Sequence, residues 1–134
     1  MKKQKIGEGK FGKVFKIEEN GQIFAVKEIS FLDGDGVQDK AKREQKMMES
    51  VKHKHIVELI RTSIEGDKLK IVMEFAEHGS LSQLVPKAVQ DPKLSHFFEE
   101  VNIWRFLDQV ASALDYLHRN KPKPILHRDL KVTF

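Results

Sequence analysis

Three glycines, Gly7, Gly9 and Gly12, sit between segments rich in residues that favour extended backbone, and no helical pattern follows them. Ile6 lies ahead of the first gap; Val14, Phe15 and Ile17 come after the last, then a run from Ile23 to Ile29. The alternation and β-branched content predict three short strands. Asn20-Gly21 joins the second to the third, because both positions tolerate the positive φ that a tight hairpin requires. A Gly-x-Gly-x-x-Gly pattern that opens a helix marks a dinucleotide fold; one inside a strand-turn-strand excludes it. A glycine hairpin lets the backbone approach phosphate oxygens closely and present N–H donors to them. Phe11 at its tip can shield those phosphates from water, and Val14 can roof a flat ring.

Beyond the hairpin, Asp33-Gly34-Asp35-Gly36 breaks the chain. From Gln38 to Lys52 the pattern is helical, with Ala41, Glu44, Met48 and Val51 at three- and four-residue steps on one face. Ile56–Ser63 and Lys68–Phe75 read as a strand pair joined by Glu65-Gly66-Asp67. After His78-Gly79-Ser80 the character changes. Ser80 is placed to cap a helix running towards Val89, which Asp91-Pro92 stops. A long amphipathic helix is predicted from about Glu99 to Arg119, its stripe formed by Ile103, Phe106/Leu107, Val110, Ala113/Leu114 and Leu117. The segment from Asn120 to Pro124 breaks that helix, and Ile125-Leu126 is expected to begin a last short strand.

The 134 residues, 40% hydrophobic and 33% charged, suit a folded chain of one domain or two small lobes. A net charge of +4 does not call for nucleic acid as a partner. Lys2, Lys3, Lys5, Lys10 and Lys13 crowd the N-terminus, but three of them flank the glycines, where an anionic ligand is the simpler explanation. With no cysteine there is no disulfide, thiolate nucleophile or cysteine-bound zinc. No apolar run approaches the ~20 residues of a membrane helix, and no signal-like segment follows Met1, so neither membrane nor secretion is expected. The expected location is intracellular, cytoplasm or nucleus.

Thirteen residues past Val14 comes Lys27, in Ala25-Val26-Lys27. Ala25 and Lys27 share a strand face, so a small residue can lie over a base while the ammonium reaches phosphates. Glu44 on the following helix is suited to hold that ammonium in place. Two rival chemistries are weaker. The aspartates at 33, 35 and 39 with Glu44 mimic a calcium loop, but its glycine position is Gln38 and no helix precedes it, so a strand-to-helix loop explains them. His53 and His55 lack a third ligand and read as a loop rather than a metal site.

Taken together, Gly7-Glu8-Gly9-Lys10-Phe11-Gly12-Lys13-Val14, Ala25-Val26-Lys27, Glu44, His53-Lys54-His55-Ile56-Val57-Glu58-Leu59, Ile71-Val72-Met73-Glu74-Phe75 and His127-Arg128-Asp129-Leu130-Lys131 resemble the eukaryotic protein kinases, block by block and in order. Lys131, two residues after Asp129, resembles the serine/threonine branch. Lys27-Glu28-Ile29 and the Lys123-Pro124-Ile125-Leu126 approach look most like NIMA-related kinases.

The resemblance implies an α+β fold: an N-lobe of residues 1–76, with a five-stranded antiparallel sheet and one helix, then residues 77–134 as the first helices of an incomplete helical C-lobe. It implies ATP and Mg²⁺ as cofactors and an unspecified protein substrate. Ile6, Gly7, Glu8, Gly9, Lys10, Phe11, Gly12, Lys13, Val14, Ala25 and Lys27 would surround the nucleotide. Met73 would be the gatekeeper, with Glu74 and Ala76 offering hinge backbone groups. Asp129 would orient the substrate hydroxyl, Lys131 would steady the transferring phosphoryl, and Lys27 with Glu44 would complete the catalytic set. Met48, Leu59 and His127 would stack as three of the four residues of a regulatory spine.

Departures accompany these matches. Lys54 and His55 stand where the family commonly has proline and asparagine, and Val132 replaces the usual proline. Phe134 occupies the position of the family's Mg²⁺-binding asparagine, and no Asp-Phe-Gly occurs in the 134 residues. The expectation is a truncated kinase sequence, with no metal ligands of its own and silent in phosphoryl transfer when alone. The stripe of the helix at 99–119 would then be partly exposed and available to a partner.

Overall fold

A computed structural model describes residues 2–9, 12–31, 37–119 and 122–130, with the side chains of 37, 38, 40 and 41 also outside the description. The chain forms two compact units: Met1–Lys52 with Val57–Phe75, and His53–Ile56 with Ala76–Phe134.

The first unit is an antiparallel sheet of β1 (Lys3–Gly9), β2 (Gly12–Glu19), β3 (Gln22–Ser30), β4 (Leu59–Glu65) and β5 (Lys68–Glu74), with one helix, α1 (Val37–Glu49). The strand order is β1-β2-β3-β5-β4. Asn20 and Gly21 take φ of 51° and 76°, the left-handed pair that a two-residue hairpin between twisted strands demands. Directly paired residues share a face, so the register sorts the side chains. Val14 pairs with Lys27, Lys27 with Ile71, and Ala25 with Met73, which places all five on one face. Ile29, Leu69 and Ile71 form the buried cluster of that face, and Phe31, Met48, Leu59 and Met73 pack against it. The opposite face is covered by Ile17, Val26 and Val72 with Phe24. This five-stranded sheet with its helix, followed by further helices, is the α+β fold anticipated from the sequence.

The second unit contains α2 (Leu81–Gln90), a single turn α3 (Pro92–Ser95), a 3₁₀ turn at His96–Phe98 and α4 (Glu100–His118). The Gln83 side chain accepts the Ser80 N–H at 3.0 Å, satisfying a donor at the entry to α2. Asp91 ends α2 and also starts α3, its carboxylate accepting the Lys93 N–H with Pro92 at the first helical position. The sequence predicts Asp91-Pro92 only as a stop; the capping chemistry makes it a start as well. His53 belongs to this unit. Its Nδ1 accepts the His55 N–H at 3.2 Å, its Nε2 lies 3.4 Å from Ser112 Oγ, and its ring stacks on Tyr116.

Several segments differ from the sequence reading. α1 ends at Glu49 rather than Lys52, and Ser50 and Val51 fold back onto carbonyls of its last turn. β4 begins at Leu59 rather than Ile56, because the Ile56 N–H closes a turn onto the His53 carbonyl. No strand forms at Ile125-Leu126 either; the Ile125 N–H donates to the Leu117 carbonyl at 2.9 Å and so caps the end of α4. An open C-terminal helix carbonyl is as good an acceptor as a neighbouring strand.

Candidate nucleotide site

On β3 the Lys27 ammonium meets the Glu44 carboxylate of α1 at 2.6 Å, with about a quarter of each side chain exposed (22% and 29%). A pair this accessible contributes little to folding. What it does is fix where one positive charge sits on a long flexible stem. Around that charge the sheet face presents half-buried Val14, buried Ala25 and half-buried Met73. The surface is apolar and flat beside a positioned cation, a combination that suits an aromatic base with a phosphate tail. Lys16 belongs to the same face, paired with Ala25, and its ammonium lies 4.8 Å from the centre of the Phe75 ring. The sequence reading passed over Lys16, although its alternation with Val14 along β2 was signal enough.

The three glycines are not equivalent. Gly12 has φ of 132°, and a Cβ there would lie 2.1 Å from the Glu28 backbone oxygen, so the fold itself demands glycine. Among the described residues, an added Cβ at Gly7 would meet only Val14 Cβ at 3.9 Å, and at Gly9 nothing within 4 Å. Neither has positive φ. The open space over these two is therefore available to a ligand approaching the backbone. Ile6 is the extra residue of a bulge, since Lys5 pairs with Phe15 and Gly7 with Val14. Glu8 forms an ion pair with Lys5 and lies 3.9 Å from Lys13. The hydrogen bond from Lys5, and then its charge, hold the Glu8 carboxyl below the usual glutamate value. Lys10 and Phe11 lie outside the described residues, as does the aspartate-glycine loop weighed as a calcium site.

At the end of β5, the Glu74 N–H donates to the Glu58 carbonyl at 3.0 Å, and its carboxylate accepts the Glu58 N–H at 3.1 Å. Those two bonds clamp the strand end. Ala76 opens the second unit, its carbonyl accepting the Gly79 N–H at 3.1 Å. Within that unit, His127 Nδ1 accepts the Asp129 N–H at 3.3 Å, and Arg128 between them has φ of 60°. A left-handed arginine is a strained conformation of the kind found at functional sites. Met48 and Leu59 meet at one cluster, whereas His127 belongs to the other unit. Lys131 and Phe134 lie outside the described residues.

Among the described residues there is no group of three side chains suited to a metal ion, and no helix long and apolar enough to cross a membrane.

Comparison with known proteins identifies the family. Residues 1–133 match the family described as "Protein kinase domain". Among curated proteins, the chain is 36% identical over 134 residues to "Probable serine/threonine-protein kinase nek2" of Dictyostelium discoideum, covering 94% of this chain and 31% of that protein. It is 34% identical over 131 residues to "Mitogen-activated protein kinase kinase kinase 1b" of Physcomitrium patens, covering 94% and 16%. To "Probable serine/threonine-protein kinase nek1" of Dictyostelium discoideum it is 32% identical over 131 residues, covering 96% and 26%. The chain thus spans less than a third of the length of each of these relatives. With the family matched from its first residue to position 133, this chain belongs to the protein kinase domain family.

Proposed function

We propose that residues 1–134 form the nucleotide-binding portion of a serine/threonine protein kinase, most like the NIMA-related branch, that transfers the γ-phosphoryl group of ATP to protein hydroxyls. The observation carrying this reading is the 2.6 Å Lys27–Glu44 pair on the face shared by Val14, Ala25 and Met73. Gly7 and Gly9, whose missing Cβ atoms the fold does not require, supply the approach for phosphates. In the proposed roles, Val14, Ala25 and Met73 enclose the adenine and backbone groups of Glu74 and Ala76 meet its edge. Lys27, held by Glu44, contacts the phosphates. Asp129 orients the acceptor hydroxyl and Lys131 faces the transferred group. Residues 1–76 act as the N-lobe and 77–134 as the start of the C-lobe. Similarity to the two Dictyostelium proteins and the Lys131 position support the finer assignment.

ATP suits the residues of the sheet face, whereas position 134 does not suit Mg²⁺. Magnesium requires oxygen ligands in near-octahedral array. Phenylalanine stands at position 134, where the family has its metal-binding asparagine, and an aromatic ring offers no such donor. Phosphoryl transfer depends on positioning and neutralisation of phosphate charge, so the 134-residue polypeptide is a nucleotide binder without turnover. This non-catalytic behaviour is the second reading that a specific residue favours.

Amine acylation read by mass spectrometry tests the reading. ATP should protect Lys27 from the reagent, adenosine should not, and no phosphate should reach a basic peptide substrate. Equal labelling of Lys27 with and without saturating ATP would remove the proposed site. Phosphorylation that vanishes in Asp129→Asn would overturn the expectation of silence.

A further inference from the structure

Glu44 can position Lys27 only if α1 is itself held at one angle, and the apolar contacts of its described side chains do not achieve that. Among its described side chains, Met47 is 43% exposed and Met48 alone packs against the buried cluster of the sheet. Methionine is flexible, so a single such anchor sets the depth of a helix but leaves it free to roll. The helix with its side chains is about 10–12 Å across, so a roll of about 30° displaces a side-chain tip by about 3 Å. That is enough to break the contact between Glu44 and Lys27.

The next residue supplies the missing constraint. Gln45 Nε2 donates to Thr62 Oγ1 of β4 at 2.8 Å and to Glu49 Oε1, one turn further along α1, at 2.8 Å. A carboxylate only accepts, so the bond to Glu49 settles which end of the amide faces Thr62. Adjacent helical residues diverge by about 100°. Here they reach two different strands: Glu44 reaches β3, Gln45 reaches β4, and β5 lies between. The attachment strands are therefore about 10 Å apart, two strand spacings. Two polar tethers on either side of one apolar anchor define a roll angle that neither tether defines alone.

We propose that Gln45 and Thr62 form a latch that sets the roll of α1 and thereby holds Glu44 against Lys27, making both positioning residues for the phosphate end of the site. The inference rests on the nucleotide reading above for its functional consequence, but not for its geometry. The hydrogen bonds of this latch run to Thr62 and Glu49 and not to Lys27, so its loss should act on phosphate binding through Glu44.

The test compares ATP with adenosine on the 134-residue chain. Gln45→Ala and Thr62→Val should each weaken ATP about three- to tenfold while leaving adenosine unchanged, and Thr62→Ser, which keeps the hydroxyl, should retain wild-type affinity. In a Lys27→Met background the Gln45→Ala effect on ATP should vanish. Equal losses for ATP and adenosine, or an undiminished effect without Lys27, would overturn the latch as a positioning device. An NMR contact between the Lys27 ε-methylene and the Glu44 γ-methylene reads the geometry without nucleotide. It should be present in the wild type and Thr62→Ser and absent in Gln45→Ala and Thr62→Val. Its persistence in Gln45→Ala sinks the latch even if ATP binds. Its loss while the wild type ignores ATP leaves the latch standing and removes the nucleotide site instead.

Discussion

The sheet unit and the helical unit bury their apolar residues in different ways. Around β3 and β5, Ile71 and Leu69 are 0% and 1% exposed, and both faces of the sheet carry a packed cluster. In the helical unit the buried residues among those described are Leu84, Ala88, Ala113 and Leu117, two of them alanines. Val101, Ile103, Trp104, Phe106 and Leu107 on α4 are all more than 40% exposed. One unit therefore has its core between its own elements, while the other presents several large apolar side chains of α4 outward. The expected partly exposed stripe is present at Phe106, whereas Leu117 at its far end is buried. The residues proposed above to face a nucleotide belong to the first unit and rest on the better-packed scaffold, which a site needs if its side chains are to stay put.

That contrast can be broken at several points. The largest effect is expected at Ile71→Ala, which empties the centre of the sheet cluster and should cost about 2–5 kcal/mol. Hydrogen exchange of β3 and β5 amides should report it, with α4 amides little changed. Gly12→Ala comes next. Its Cβ would collide with a backbone oxygen that cannot swing aside. A loss of about 2–3 kcal/mol is expected from the clash and the unfavourable φ. Gly9→Ala, with open space, should stay within about 1 kcal/mol and weaken ATP instead. On the helical side Phe106→Gln should change stability by no more than about 1 kcal/mol and reduce binding of a hydrophobic dye. A loss comparable to that of Ile71→Ala would mean α4 is packed after all. The smallest effect is electrostatic. Lys5→Gln should raise the Glu8 carboxyl towards its ordinary value, read by carbon NMR. Because Glu8 is depressed when folded, its pairing is intact above the ordinary glutamate range and lost as pH falls through the lowered value.

Much of this was legible before any coordinates. The Asn20-Gly21 hairpin, the strands around Val14 and Lys27, and the stripe of α4 follow from local periodicity and turn chemistry, which act over a few residues. Glu44 was identifiable because its spacing and charge complement Lys27. Less visible were features settled by competition for hydrogen bonds across the fold. Ile125 has the composition of a strand residue, yet it caps α4 through the Leu117 carbonyl. Asp91 serves two helices, and Gln45 finds Thr62, seventeen positions away, through a pairing no motif encodes. The difference between Gly12, required by Glu28, and Gly9, required by nothing among the described residues, depends on the β2–β3 approach and cannot be read from spacing.

The central claim is that Lys27 is placed for phosphate rather than for stability. Calorimetric titration of ATP into the wild type and Lys27→Met, with a thermal melt of each, tests it directly. A charge-assisted contact is worth about 1.5–3 kcal/mol, so affinity should fall about ten- to a hundredfold. The melting temperature should barely move, because an accessible pair contributes at most about 1 kcal/mol. Unchanged ATP affinity, or a loss of stability large enough to account for the weaker binding, would contradict it.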